Sequence, residues 1–263
     1  EEGGTPRQAE AMLKHYHVSP VRRQLAMDCA QASLAVKRSL QPEEISLYVG
    51  IPFCPTRCAY CSFISASGSA NRLIPAYLDA LFGEIDAAGE AARRAGKTVR
   101  TVYIGGGTPT TLAPDQLKAL LDRLHTAFDL APGTEFTVEA GRPDTITREK
   151  LEAIRDGGGN RISVNPQTMS DLVLETIGRS HRAEDIRQAY ALAREVRVGA
   201  INMDLIAGLP ADTPAGFAAT LDEVIGMDPE NITVHTLALK KGARLRQENV
   251  TLPSGEDVAR MLD

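Results

Sequence analysis

Six short apolar stretches recur between longer amphipathic segments, and this alternation limits the possible folds more than any other feature of the chain. In order they are "ISLYVGIP", "TVYIGGG", "EFTVEAG", "RISVNPQ", "AINMDLIAG" and "NITVHTLAL". Their length and β-branched content read as strands. The segments between them carry apolar residues at helical spacing: Leu78, Leu81, Phe82 and Ile85, then Leu117, Leu120, Leu121, Leu124 and Phe128 behind Pro114. Ile186, Ala189, Tyr190 and Ala193 repeat the pattern, as do Phe217, Leu221, Val224 and Ile225. Alternating strands and helices predict parallel strands with right-handed crossovers, hence a doubly wound open sheet or a (β/α) barrel.

The polar and glycine-rich residues that break the pattern gather at one end of these strands. The cysteines follow the first strand, "GGGTPT" the second, Glu139 the third and Gln167 the fourth, while Asp204 lies on the fifth and His235 and Ala238 on the sixth. Residues that only filled the surface would be spread over both ends, whereas the carboxyl end is the active end of a parallel α/β barrel.

The ends of the chain differ in texture. Pro6 to Leu40 reads as helical, with Leu25, Cys29, Ala32 and Val36 on one face, which makes Cys29 a small core hydrophobe. The chain lacks an initial methionine and stops at "GEDVARMLD", inside what reads as a helix begun near Ser254, so a segment of a longer polypeptide is expected. Net charge is −5, from 29 basic and 34 acidic residues intermixed along 263 positions, which argues against a nucleic-acid surface or a polybasic membrane patch. No apolar run approaches the ~18 residues of a membrane span, and no leader pattern is visible. A soluble, cytoplasmic chain is expected.

The stretch "IPFCPTRCAYCSF" crowds Cys54, Cys58 and Cys61 together. Clustered thiols in a cysteine-poor chain point to metal binding or reactivity, and thiolates suit zinc, copper(I) or iron–sulfur clusters. Structural zinc wants four protein ligands, commonly in paired C-x-x-C units, and no second pair exists. Three cysteines without a metal is the other bland alternative. A 4Fe-4S cluster normally takes four cysteines, so three would leave one iron open to a small molecule.

C-x-x-x-C-x-x-C with an aromatic before the last cysteine, followed by "YIGGGTPT", resembles the signature of the radical S-adenosylmethionine (SAM) superfamily. "YVGIPFCPTRCAYCSF", "VEAGRPDTIT", "NRISVNPQTM", "IGRSH", "INMDLIAGLP" and "VHTLALKKGARL" are similar to the oxygen-independent coproporphyrinogen III oxidase (dehydrogenase) family, most of all its HemZ branch. The resemblance implies an incomplete parallel (β/α)6 barrel over residues 45–240, preceded by an N-terminal helical extension over 1–44 and followed by the start of a C-terminal region over 241–263. It implies a 4Fe-4S cluster on Cys54, Cys58 and Cys61, with SAM on the open iron yielding a 5′-deoxyadenosyl radical. Tyr48, Gly106, Glu139 and Arg179 would contact that SAM, and Tyr60, Gly107, Thr108, Gln167, Asp204 and Ala238 would line a second. Glycines admit close backbone approach, a carboxylate accepts from ribose hydroxyls, and an arginine forks a carboxylate.

The implied activity is anaerobic oxidative decarboxylation of coproporphyrinogen III to protoporphyrinogen IX in haem biosynthesis, served by an electron donor such as flavodoxin or ferredoxin. A four-carboxylate tetrapyrrole needs cations, for which Arg142, Arg161, Lys240 and Lys241 are candidates near strand ends. Two positions depart from that family's pattern: Gly50 where a histidine is usual, and Phe63 where a further cysteine is usual. The same core also serves radical methyltransferases or cyclopropanases and the HemW-type haem chaperones, which show aspartate where Ser62 stands. Alone, "GGGTPT" is equally a tight turn, since it lacks the Lys-Ser/Thr of a phosphate loop. Glu139 and Asp204 could satisfy loop backbone, and Arg179 could be a helix-surface cation. His125 reads as exposed, His181 and His235 as facing the site in a scaffold role, and no histidine is assigned to catalysis.

Overall fold

A computed structural model describes residues 4–63, 65–248 and 250–263, so Glu1–Gly3 of the expected extension lie outside the described residues. The chain divides into two compact units, Glu1–Glu44 and Ile45–Asp263. In the first, the helical stretch is two helices, α1 (Pro6–His15) and α2 (Pro20–Ser39). Thr5 and Gln8 form a reciprocal capping box at the start of α1, and Ser19 followed by Pro20 starts α2. Cys29 is exposed, as are Leu25 (62%) and Val36 (57%), so the expectation of a core stripe is overturned. Capping and the Ala-, Gln- and Arg-rich composition account for α2, not burial of that face.

The second unit follows the alternation. β1 (Glu44–Ile51) leads to a short parallel pair, β2 (Phe53–Cys54) and β3 (Ala66–Ser67), then to α3 (Ile74–Arg94). β4 (Thr98–Gly106), α4 (Pro114–Phe128), β5 (Glu135–Glu139), α5 (Arg148–Asp156) and β6 (Arg161–Ser163) come next. α6 (Asp171–Thr176), α7 (Ala183–Val196), β7 (Ala200–Ala207), α8 (Pro214–Gly226), β8 (Asn231–Thr236) and α9 (Gly255–Leu262) complete it. The sheet order is β1-β4-β5-β6-β7-β8, with β4 to β8 paired in parallel and the sheet ending at β1 and β8. All six expected strands form.

Strand register separates two chemically different faces. Ile104, Val138, Ile162 and Ile201 lie abreast, fully buried beside Leu120, Leu121 and Leu124 of α4 in one core. The opposite face carries Glu139, Ser163, Asn202 and Asn231 abreast, with Asp204 and Thr233 beyond. A closed barrel fills its interior with layers of branched apolar side chains. This face is polar, so it suits a ligand better than a packed core.

β6 stops early because Pro166 has no amide hydrogen and Gln167 takes φ +69°, although Gln167 still bridges to Leu205. β8 ends at Thr236, which leaves Ala238 just past the sheet. α5 and α6 bury only two residues each, too few for apolar spacing to announce them.

α3 and α4 meet at a glycine. A Cβ on Gly89 would stand 2.4 Å from the carbonyl oxygen of Ala127, whereas one on Gly83 of the same helix meets nothing within 4 Å among the described residues. Gly83→Ala should therefore gain up to ~1 kcal/mol from helix propensity. Gly89→Ala should lose ~1–3 kcal/mol through overpacking despite the same gain. Urea denaturation of the two variants checks the opposite signs.

Candidate functional site

The cysteine loop leaves β1 at the carboxyl end of the sheet and is bonded on every side. Gly107 N–H donates to the Ile51 carbonyl and Thr108 N–H to that of Phe53, both at 2.8 Å. Ala66 N–H donates to Pro52 at 2.8 Å, Ala59 N–H to Ile177 at 2.9 Å, and Leu245 N–H to Ala59 at 2.9 Å. Loops from β4, α6 and the segment before α9 thus fix the backbone around the thiols. Gly107 has no alternative, since a Cβ there would lie 2.6 Å from the Phe53 carbonyl oxygen and 2.9 Å from Cys54 Sγ.

The three thiols line one cavity of about 170 Å³ together with Tyr60, Gly106, Gly107, Thr108, Glu139 and Arg179. Cys54 is buried, Cys58 and Cys61 are half-buried, and the Thr108 hydroxyl reaches Cys54 Sγ at 3.5 Å. Among the described residues no three of His, Cys, Asp or Glu converge as the ligands of a single ion. The thiols surround a space instead. Burial pushes the Cys61 thiol up, Cys58 and Cys54 add to it, and the Phe63 backbone and Arg57 oppose it. Binding a metal group there releases protons.

Glu139, Tyr60 and Arg179 on the cavity wall belong to a partly buried polar network that also includes Tyr103. Tyr103 donates to Glu139 Oε1 at 2.7 Å, and the Gly106 amide donates to the same carboxylate. Burial raises the Glu139 carboxyl above its ordinary range, Asp204 adds slightly, and those two donors pull it back. Arg179 donates to the Tyr60 hydroxyl at 2.9 Å and to the Gly141 carbonyl at 3.2 Å, while its Nε has no partner among the described residues. Burial pushes the Tyr60 phenol up to about 12, so it stays neutral beside the guanidinium. At 8% exposure Arg179 is not a helix-surface cation.

Four expected residues do not line this cavity. Tyr48 is exposed and stacks at 5.9 Å on Tyr103, whose hydroxyl donates to Glu139. It lines a second cavity with Gly50 and Tyr77. Gln167 is buried and bonded through its backbone to Asp204 and Ile206. Asp204 accepts from Asn202 at 2.6 Å on the polar face, and His235 Nε2 lies 4.0 Å away. Ala238 is exposed beyond β8.

Several expectations need correction. Arg142 is 3% exposed and committed to protein partners, and Arg161 opens β6 at the amino end, opposite the cysteines. Lys240 and Lys241 are exposed and stay at the carboxyl end. His125 is half-buried and bonds the Gly157 carbonyl at 3.0 Å. His181 is buried with Nδ1 3.4 Å from Asp144. Two residues were missed: Tyr103, and Asn165 on the cavity wall, whose buried Oδ1 has no partner among the described residues. Strand alternation signalled Tyr103, which shares the face of Glu139, whereas Asn165 lies two residues past the end of β6.

The raised Glu139 carboxyl gives a signed pH effect in the cofactor-free chain. Ionisation costs more folded than unfolded, so its stabilisation is full below the unfolded value and fades as pH rises through the folded one. Glu139→Gln should therefore gain stability relative to wild type over a pH range that starts at the ordinary carboxylate value and extends above it. Urea midpoints across that range should show the gap widening with pH; a constant gap would mean the carboxyl is not raised.

A family model described as the radical SAM superfamily matches residues 48–224. The oxygen-independent coproporphyrinogen-III oxidase-like protein HemZ of Bacillus subtilis is 36% identical over the whole of this chain and 54% of its own length. The heme chaperone HemW of the same organism is 33% identical over 83% of this chain and 58% of its own. The solved coproporphyrinogen III oxidase HemN of Escherichia coli, described as a radical SAM enzyme, aligns with TM-score 0.77 and 31% identity over 88% of this chain and 54% of its own. The chain thus spans about half the length of these relatives.

Proposed function

We propose that this chain, which belongs to the radical SAM superfamily and whose cofactors are a 4Fe-4S cluster and SAM, carries out the oxidative decarboxylation of coproporphyrinogen III to protoporphyrinogen IX. The observation that carries this reading is the single cavity shared by Cys54, Cys58, Cys61, the Gly106–Thr108 turn, Glu139 and Arg179, in a chain 36% identical to HemZ.

The residues fit the cofactors. Three thiols spread around one space are the soft donors that an iron–sulfur cluster takes, and the sequence from Ile45 to Asp263 contains no fourth cysteine. The bare Gly107 backbone leaves room against Cys54. When bound, the cluster and SAM supply the one-electron chemistry that removes an unactivated hydrogen atom.

The chain's own groups then hold and orient. Cys54, Cys58 and Cys61 hold the cluster; Gly106 presents backbone to SAM and keeps Glu139 turned inward through its amide. Glu139 accepts from ribose hydroxyls, aided by Tyr103, against which Tyr48 packs. Arg179, already anchored on Tyr60 and Gly141, directs its remaining Nε–H toward a carboxylate. Tyr60, Gly107 and Thr108 begin a second SAM position that extends past the cavity toward Gln167, Asp204 and Ala238. Lys240 and Lys241 meet substrate carboxylates at the mouth. Each propionate gives up a hydrogen atom, carbon dioxide and one electron, which passes to an external one-electron acceptor; a flavodoxin- or ferredoxin-type protein supplies the reducing electron.

The 33% identity to HemW supports a second reading, haem transfer without chemistry on the tetrapyrrole. One anaerobic experiment separates the two. Reconstituted protein with dithionite, SAM and coproporphyrinogen III should yield a product lighter by two carboxyl groups, and Cys58→Ala should abolish it. Stable haem binding with unchanged coproporphyrinogen would favour the chaperone.

A further inference from the structure

Arg142 is a buried cation whose five guanidinium hydrogens all have acceptors. Nη1 donates to both the carbonyl (3.0 Å) and the hydroxyl (2.7 Å) of Thr56. Nε and Nη2 grip the two oxygens of Asp144 at 3.1 and 3.0 Å, and Nη2 also reaches the Ser180 hydroxyl at 3.2 Å. Nothing remains for a ligand carboxylate. Asp144 is in turn held by Ser180 at 3.1 Å and lies 3.4 Å from His181.

A buried ion pair is weak evidence for stability, because an apolar replacement often does as well. Its geometric precision is another matter: the planar fork fixes two partners at once. Here one partner is the segment Pro143–Thr145 after β5, and the other is Thr56, midway between Cys54 and Cys58. Among the described residues, no backbone hydrogen bond within the loop itself restrains Thr56.

We propose that Arg142 is a positioning residue for the thiols, a buried strut that holds Thr56 and so sets where Cys54 and Cys58 point. The proposal rests on the reading that these thiols hold the cluster, and its test separates the two. In the cluster-free chain, alkylation of Cys54 and Cys58 is followed by mass spectrometry, with exposed Cys29 as internal reference. Arg142→Lys keeps the charge but loses the fork, and should speed modification of buried Cys54 relative to Cys29 by about tenfold, the equivalent of ~1.4 kcal/mol. Thr56→Val removes only the hydroxyl contact and should give a smaller increase. The double variant should match Arg142→Lys alone, because both changes break the same contact.

The same variants, reconstituted and reduced, should show a broadened paramagnetic signal and about tenfold weaker SAM binding read from its shift. Unchanged Cys54 reactivity in Arg142→Lys, or effects that multiply in the double variant, would overturn the strut. So would an intact cluster signal with loss confined to tetrapyrrole affinity, which would return Arg142 to the substrate. Failure of wild-type protein to take up iron would instead defeat the cluster reading, while the alkylation result still decides the strut.

Discussion

Two hydrogen bonds join the halves of the site: the amides of Gly107 and Thr108 donating to the carbonyls of Ile51 and Phe53. They tie the turn after β4 to the cysteine loop after β1, between strands adjacent in the sheet. Because a side chain at position 107 would strike Phe53 and Cys54, the glycine turn and the thiol loop have to be built together. The helices behind the sheet supply the rigidity. Ile104 and Val138, fully buried on the strands that end in Gly106 and Glu139, pack into the apolar core and leave the strand tips little freedom.

The electrostatics of the cavity follow from its position at those tips. Arg179 is buried and Glu139 and Tyr60 are half-buried, so each depends on specific donors and acceptors for its ionisation state. Glu139 carries the burial cost with Tyr103 and Gly106 as compensation, and Asp144, also penalised by burial, is held well below the usual carboxylate range by His181 and Arg142. The unpartnered Arg179 Nε and Asn165 Oδ1 mark places where a ligand, and not the protein, would complete the network.

Much of this was readable because alternation and glycine chemistry are local. Six strands and the four counted helices announce themselves through spacing, and the convergence of Cys54, Gly107 and Glu139 follows from parallel strands sharing one active end. What could not be read depends on pairing across the fold. Arg142 resembles any strand-end cation until Thr56, 86 positions earlier, is found in its fork. Cys29 resembles a core residue because a helical stripe does not reveal whether anything covers it. Tyr103 was visible in its strand, but its weight comes from the polar face it shares with Glu139, which needs the register, and Asn165 sits past the end of β6.

The central claim is that three thiols hold a cluster with one iron left for a small molecule. Mössbauer spectroscopy of the 57Fe-reconstituted protein, with and without SAM, tests it most directly. The account predicts that SAM shifts the signal of one iron site in the cluster and leaves the other three unchanged. Four sites insensitive to SAM, or a chain that takes up zinc in preference to iron, would contradict it.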